Sequence, residues 1–172
     1  MIKHIAAIVL AATSFAASAA DNTGFYMGAD LGKTKVDTMN NDNSVGVFAG
    51  YKFTDNLAVE AAYRDMGKFG VGTYYYDPVQ RRNVYVSADV DMKQTAISLV
   101  ASAPLGAHVS MYARLGYNKL SAEVGGYSDS QNGTLVGIGL GYAFTQNVAA
   151  RIEYQRPASD VQNLSVGISY KF

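Results

Sequence analysis

Residues 136–144 read Val136-Gly137-Ile138-Gly139-Leu140-Gly141-Tyr142-Ala143-Phe144. Every second side chain is large and apolar, and every side chain between is glycine or alanine. An extended strand separates such a sequence onto two faces, because its successive side chains point to opposite sides with a period of two. A helix would mix the two sets. One face of this segment is broad and apolar, and the other has almost no side chains.

The same period runs through the chain. Phe25, Met27, Ala29 and Leu31 alternate with Tyr26, Gly28, Asp30 and Gly32. Val45, Val47, Ala49, Tyr51 and Phe53 alternate with Gly46, Phe48, Gly50 and Lys52. Leu57, Val59, Ala61 and Tyr63 oppose Ala58, Glu60, Ala62 and Arg64. The pattern continues at 95–102, at 110–117, and at 148–155, where Ile152 and Tyr154 oppose Arg151 and Glu153. It ends with Leu164, Val166, Ile168, Tyr170 and Phe172 against Ser165, Gly167, Ser169 and Lys171. With 136–144 these make eight strands of about ten residues, the length that crosses a bilayer when tilted.

In a soluble sandwich the apolar face would form the core and the small or charged face would meet water. In a membrane barrel the apolar face meets lipid and the other fills the lumen. The second arrangement fits better. Glycine, alanine and serine suit a crowded lumen, and Tyr and Phe gather at strand ends, where aromatic girdles sit. The connections also alternate: short at 54–56, 104–108 and 145–147, long at 33–43, 66–92, 118–133 and 156–163. Three short turns and four long loops are what eight antiparallel strands with both ends on one side require. The sequence therefore predicts an all-β, eight-stranded, antiparallel, up-and-down transmembrane β-barrel, closed because no sheet edge can stay unpaired in hydrocarbon.

Residues 1–20 differ from this pattern. Lys3, the apolar run Ile5–Ala12 and the small residues Ala17-Ser18-Ala19-Ala20 form a secretory signal peptide, too short to span a membrane. The expected mature domain is 21–172, exported to a bacterial outer membrane.

Composition removes other classes. The 172 residues contain 14 Lys+Arg, 14 Asp+Glu, no Cys and two His, which excludes disulfides, a thiolate nucleophile and an ordinary zinc site. No metal or other cofactor is expected, and the zero net charge argues against nucleic acid. Gly32-Lys33-Thr34 and the Gly137/Gly139/Gly141 run match neither nucleotide-binding fingerprint.

The residues resemble a known family, the eight-stranded transmembrane domain of outer-membrane protein A and its small, porin-like relatives. Val47-Phe48-Ala49-Gly50-Tyr51 running into Ala58-Val59-Glu60-Ala61-Ala62-Tyr63 is similar to its second hairpin, and Tyr112-Ala113-Arg114-Leu115-Gly116 to its fifth strand. Ala149-Ala150-Arg151-Ile152-Glu153-Tyr154-Gln155 and Leu164–Phe172 resemble its last two strands. The resemblance implies partners: outer-membrane lipid and lipopolysaccharide, and, during biogenesis, periplasmic chaperones and the assembly machinery. Phe172, with Tyr170 and Ile168 on the same face, resembles the C-terminal signal that this machinery selects.

Alternation places Asp30, Lys52, Glu60, Arg64, Arg114, Arg151, Glu153 and Lys171 in the lumen as a charge network or gate. Charges in a narrow lumen must pair or stay hydrated, and eight strands leave an interior that side chains can fill. In the family an inward carboxylate on strand three pairs with an arginine on strand seven, and Glu60 and Arg151 match those positions. The partner-exchange residues do not match: Gly141 stands at the strand-six carboxylate, and Ser98 or Val100 near the strand-four lysine. The function expected is a structural or small-pore envelope protein.

The alternative is an adhesin that binds a host surface ligand or matrix through its outer loops. Tyr74, Tyr75 and Tyr76, followed by Arg81 and Arg82, carry that reading, since exposed Tyr and Arg are typical of binding surfaces. Val84, Val86 and Ala88 alternate with Tyr85, Ser87 and Asp89, so this loop is expected to be a protruding hairpin. Catalysis is not expected. His108, the histidine left after cleavage, sits in a short turn on the periplasmic side, far from the outer leaflet where lipid A enzymes work.

Overall fold

In the computed structural model the structure describes residues 23–37, 41–77, 82–124 and 127–172, without the side chains of 71, 73–77 and 84–88. The expected signal peptide therefore lies outside the described residues. The strands are β1 (Gly24–Val36), β2 (Asp42–Lys52), β3 (Leu57–Asp77), β4 (Arg82–Pro104), β5 (Val109–Val124), β6 (Tyr127–Ala143), β7 (Val148–Ala158) and β8 (Val161–Lys171). Each pairs antiparallel with its sequence neighbour, and β8 returns to β1, with Met27 opposite Tyr170 and Leu31 opposite Val166, to close the barrel.

The burial pattern is that of a soluble protein turned inside out. Leu31, Leu115 and Ile138 are more than 60% exposed, while Asp30, Glu60 and Glu153 are at most 3% exposed. In water so large an apolar surface would drive association; in hydrocarbon it is the solvated face. Aromatic residues frame it. Phe25 and Tyr51 (4.7 Å between ring centroids), Tyr142 and Phe144 (5.1 Å) and Tyr170 and Phe172 (5.2 Å) meet edge to face at the short-turn end. Tyr63, Tyr117 and Tyr154 stand exposed toward the other end, one each on β3, β5 and β7. Short turns face the periplasm in such barrels, so the second set marks the outer interface.

Two of the short turns share a device readable in sequence. In Phe53-Thr54-Asp55-Asn56-Leu57 and Phe144-Thr145-Gln146-Asn147-Val148, the threonine hydroxyl accepts the backbone N–H groups two and three residues ahead (3.0–3.3 Å at Thr54, 2.9–3.2 Å at Thr145). Each asparagine then donates across to the next strand, Asn56 Nδ2 to the Ser102 carbonyl (2.7 Å) and Asn147 Nδ2 to the Lys171 carbonyl (2.8 Å). Backbone groups at this rim are thereby satisfied without a longer loop.

The outward connections correct the expectation of four long loops. Strand pairing continues well past the bilayer: β5 and β6 stay paired from Val109↔Tyr142 to Val124↔Tyr127, and β7 resumes pairing at Ala158↔Val161. Residues 118–124 and 127–133, and most of 33–43 and 156–163, are strand. The missing signal was a break, since residues 118–124 carry neither Gly nor Pro to end the ladder. The expected hairpin within 66–92 is present, with β3 and β4 paired to Asp77↔Arg82. From Tyr63 to Asp77 that hairpin rises roughly 30 Å beyond the outer girdle at strand rise and barrel tilt.

The rim is uneven. β2 pairs with β3 up to Val45↔Asp65, and β6 pairs with β7 up to Val136↔Arg156. Pro157 follows, without an N–H to continue a ladder. Above these points β3, β4, β5 and β6 stand taller than the other four strands. A β-bulge between Asp65 and Gly67 marks the start of the tall side on β3 and switches its inward phase, so that Met66 and Phe69 are both buried. Gly67 has φ +100°, and a Cβ there would come within 2.6 Å of the Asp42 carboxylate.

Gly67→Ala is expected to destabilise the barrel by about 1–2 kcal/mol, from the positive φ and this clash. Gly70→Ala, at a position open to solvent, should be within about 0.5 kcal/mol of the parent. Urea unfolding in lipid vesicles, with heat-modifiable migration as the fold criterion, would measure both; equal effects would refute the bulge assignment.

Candidate functional site: the luminal charge network

β1 runs through the lumen layer by layer. Its inward residues are Tyr26, Gly28, Asp30, Gly32, Thr34 and Val36, and they meet in turn a ring-lined floor, a charged belt, a neutral polar layer and an apolar cap.

The charged belt joins six of the eight residues expected in the lumen. Arg64 Nη1 lies 2.8 Å from Asp30 Oδ1, Arg114 Nη2 2.5 Å from Glu60 Oε1, and Arg114 Nε 2.8 Å from Glu153 Oε1. Arg151 reaches three acids, Glu60 at 2.9 Å, Asp30 at 3.3 Å and Glu153 at 4.0 Å. The expected Glu60–Arg151 pair is thus one edge of a larger mesh, and Arg114 contacts Glu60 as closely. Three carboxylates face three guanidiniums, so the belt is neutral. The arginines suit it because each planar guanidinium can serve two carboxylates at once.

Aromatic side chains complete the belt. Tyr26 donates its hydroxyl to Glu60 (3.0 Å) and Tyr112 donates to Glu153 (2.8 Å). The Arg151 guanidinium carbon stacks 3.3 Å from the Phe48 ring centroid, a cation–π contact. Arg114 Nη1 also donates to Ser98 Oγ (2.9 Å).

Glycines make room for these groups. Asp30 stands between Gly46 and Gly167, Arg151 between Gly141 and Gly167, Tyr112 opposite Gly139, and Tyr26 opposite Gly50. A Cβ at Gly139 would overlap the Tyr112 ring, and one at Gly28 the Phe48 ring. The Gly137/Gly139/Gly141 run that marks β6 in the sequence is therefore the cradle for side chains from β5 and β7.

Above the belt, Asn163 accepts from Arg64 (2.8 Å) and donates to Thr34 (3.0 Å) and Ser44 (2.7 Å). Higher still, Val36, Met66, Phe69, Val90 and Val161 are buried together, with Met92, Leu120, Ala122, Val124 and Ala158 packed against them. This apolar cap lay within segments read from sequence as loops, so it was not foreseen.

Lys52 and Lys171 are inward but stay outside the belt. They line a vestibule of about 590 Å³ at the periplasmic mouth. Tyr26, Tyr112, Phe48 and Ser98 were placed on the lumen face by alternation but not recognised as belt members; the signal was a glycine opposite each on a neighbouring strand. Of the expected outer binding residues, Arg82 is exposed at the start of β4, and Tyr74, Tyr75 and Tyr76 occupy β3. Arg81 and the side chains of Tyr74–Tyr76 lie outside the described residues. Lower on the same hairpin, Lys68 Nζ is 3.1 Å from Asp91, whose hydrogen bond and charge hold the ammonium above its usual pKa. Ile168 and Tyr170 face outward, and Phe172 donates its N–H to the Phe25 carbonyl (3.0 Å). His108 lies in the turn after β4, with its ring 6.0 Å from Tyr142.

Comparisons with known proteins agree with this architecture. The outer membrane protein beta-barrel domain family matches residues 5–172, and the chain belongs to that family of the bacterial outer membrane. Among solved structures, OprG of Pseudomonas aeruginosa is 14% identical with a TM-score of 0.65, covering 88% of this chain and 97% of its own. Neisserial surface protein A (NspA) is 23% identical with a TM-score of 0.56, covering 87% of this chain and 97% of its own. Ail, the attachment invasion locus protein of Yersinia pestis, solved with the heparin analogue sucrose octasulfate, is 19% identical with a TM-score of 0.53 and the same coverage of 87% and 97%. A search of curated proteins finds no match.

Glu60→Ala would leave Arg114 and Arg151 short of a carboxylate inside the barrel and is expected to cost about 3 kcal/mol. Urea unfolding in vesicles would measure it. A loss below about 1 kcal/mol would mean the belt is hydrated rather than paired.

Proposed function

We propose that this outer-membrane barrel is a sealed, structural envelope protein rather than an open pore. One observation carries the reading: the lumen is occupied at successive heights by the charged belt, the Asn163 layer and the apolar cap. An ion would have to displace paired charges and then cross an apolar layer, each step costing several kcal/mol. The belt thus replaces the hydrophobic core that a soluble protein of this size would have. The gate implied by family resemblance loses support, because Glu60 is held by Arg114 and Tyr26 as well as by Arg151. The reading is also non-enzymatic, since His108 lies at the periplasmic end, away from lipid A.

A second reading, adhesion, is favoured by the tall β3–β4 hairpin, which lifts Tyr74–Tyr76 and Arg82 beyond the outer interface. Ail, a structural neighbour, was solved with a heparin analogue, so a sulfated host saccharide is the ligand class to try first. Lipopolysaccharide phosphates are the membrane-side partners for the same basic residues, and Phe172, Tyr170 and Ile168 are read as the signal to the assembly machinery.

Planar-bilayer recording of folded, heat-modifiable protein is expected to show no discrete conductance steps. Regular steps that change in Glu60→Ala would establish a pore and overturn the sealed reading. For adhesion, removing residues 73–86 should abolish binding to immobilised heparin while the barrel still folds; retained binding would dismiss the hairpin.

A further inference from the structure

Below the charged belt the lumen opens into a vestibule of about 590 Å³ whose wall includes Lys52 from β2, Lys171 from β8, Ser110 from β5 and Gly141 from β6. Strand register sets the two lysines on either side of β1, Lys52 opposite Gly24 and Lys171 opposite Tyr26. Gly24 has no side chain to separate them, and their charges are within electrostatic reach of each other. No carboxylate side chain lines the vestibule. The acid that Lys52 feels is Asp55 in the adjoining turn, and among the described residues neither lysine makes an ion pair within 4.0 Å.

The belt above cannot neutralise this charge, because its three carboxylates are already matched by Arg64, Arg114 and Arg151. Two half-buried ammonium groups facing one cavity repel each other, and an anion between them would remove that cost. Lysine, a compact charge with three rotatable donors, binds phosphate well. Ser110 adds a hydroxyl where Gly141 leaves space, its Oγ lying 2.9 Å from where a Cβ would stand.

We propose that the periplasmic vestibule is a binding site for a phosphate-bearing anion, held by Lys52 and Lys171 and assisted by Ser110. The site opens to the periplasm, so the phosphate belongs either to a soluble periplasmic molecule or to the headgroup of an inner-leaflet lipid reaching over the rim. This goes beyond the sealed-barrel reading, since an anion can bind at this mouth whether or not ions pass the belt.

The test is a backbone-amide NMR titration of the folded protein in phosphatidylcholine nanodiscs with inorganic pyrophosphate. Saturable shifts are expected at Lys52, Ser110, Gly141 and Lys171 by about 10 mM, with an apparent affinity that falls at least about tenfold in Lys52→Gln/Lys171→Gln. Unchanged shifts elsewhere in that variant would show that the barrel stays folded. Shifts at the same four residues on adding phosphatidylglycerol, in place of pyrophosphate, would support the site with lipid as its source. No saturable shift with either probe, or shifts that survive the double substitution, would overturn the proposal. Bilayer conductance is read separately, so a silent barrel without anion binding defeats this inference alone.

Discussion

A sheet in hydrocarbon must pair every backbone N–H and C=O, because no water is present to satisfy those left over. Closing eight strands meets that requirement and creates a second one. The closed wall encloses a narrow space that must be filled, and its outer surface is the one that must be apolar. The usual core is thereby displaced to the outside, and polar chemistry is left to hold the centre.

This chain fills the centre with side chains that need room and partners together. Each large group of the belt is set against a glycine on an adjacent strand: Asp30 against Gly46 and Gly167, Tyr112 against Gly139, Arg151 against Gly141. The glycines weaken their strands as isolated elements, because they add no side-chain packing. They permit three guanidiniums and three carboxylates to approach to ion-pair distance, with two tyrosine hydroxyls donating to Glu60 and Glu153. A buried pair of this kind adds little over a well-packed apolar alternative, but removing one member leaves an uncompensated charge. The belt therefore acts as a fastener between strands distant in sequence, Asp30 on β1 with Arg64 on β3, and Arg114 on β5 with Glu60 and Glu153.

Much of this was legible from residue alternation. The period of two around residues 136–144 gave strand type, and the apolar face on every strand gave the membrane. The inward set of eight charges followed from the same parity, and six of them meet. Parity says which side a residue faces but not how far along the barrel axis it sits. Lys52 and Lys171 therefore looked equivalent to Arg151, although they lie at the mouth. The extracellular half was read less well. Along 118–124 the alternation continues but changes sense, because the outer face is wet there and carries Lys119 and Glu123, while Leu120, Ala122 and Val124 pack inward against the cap. The bulge at Gly67, which turns Phe69 inward beside Met66, leaves no mark in a pattern that assumes unbroken phase. The apolar cap was missed because its residues lie in segments read as loops, and it is the layer that most favours a sealed lumen.

The measurement that bears most directly on a lumen filled by paired charges is proton exchange at the arginine side chains, followed by NMR in lipid nanodiscs. The guanidinium protons of Arg114, locked between Glu60 and Glu153, should exchange far more slowly than those of exposed Arg82 and remain visible as separate resonances. Exchange of Arg114 as fast as that of Arg82 would mean that water reaches the belt freely, contradicting a sealed interior.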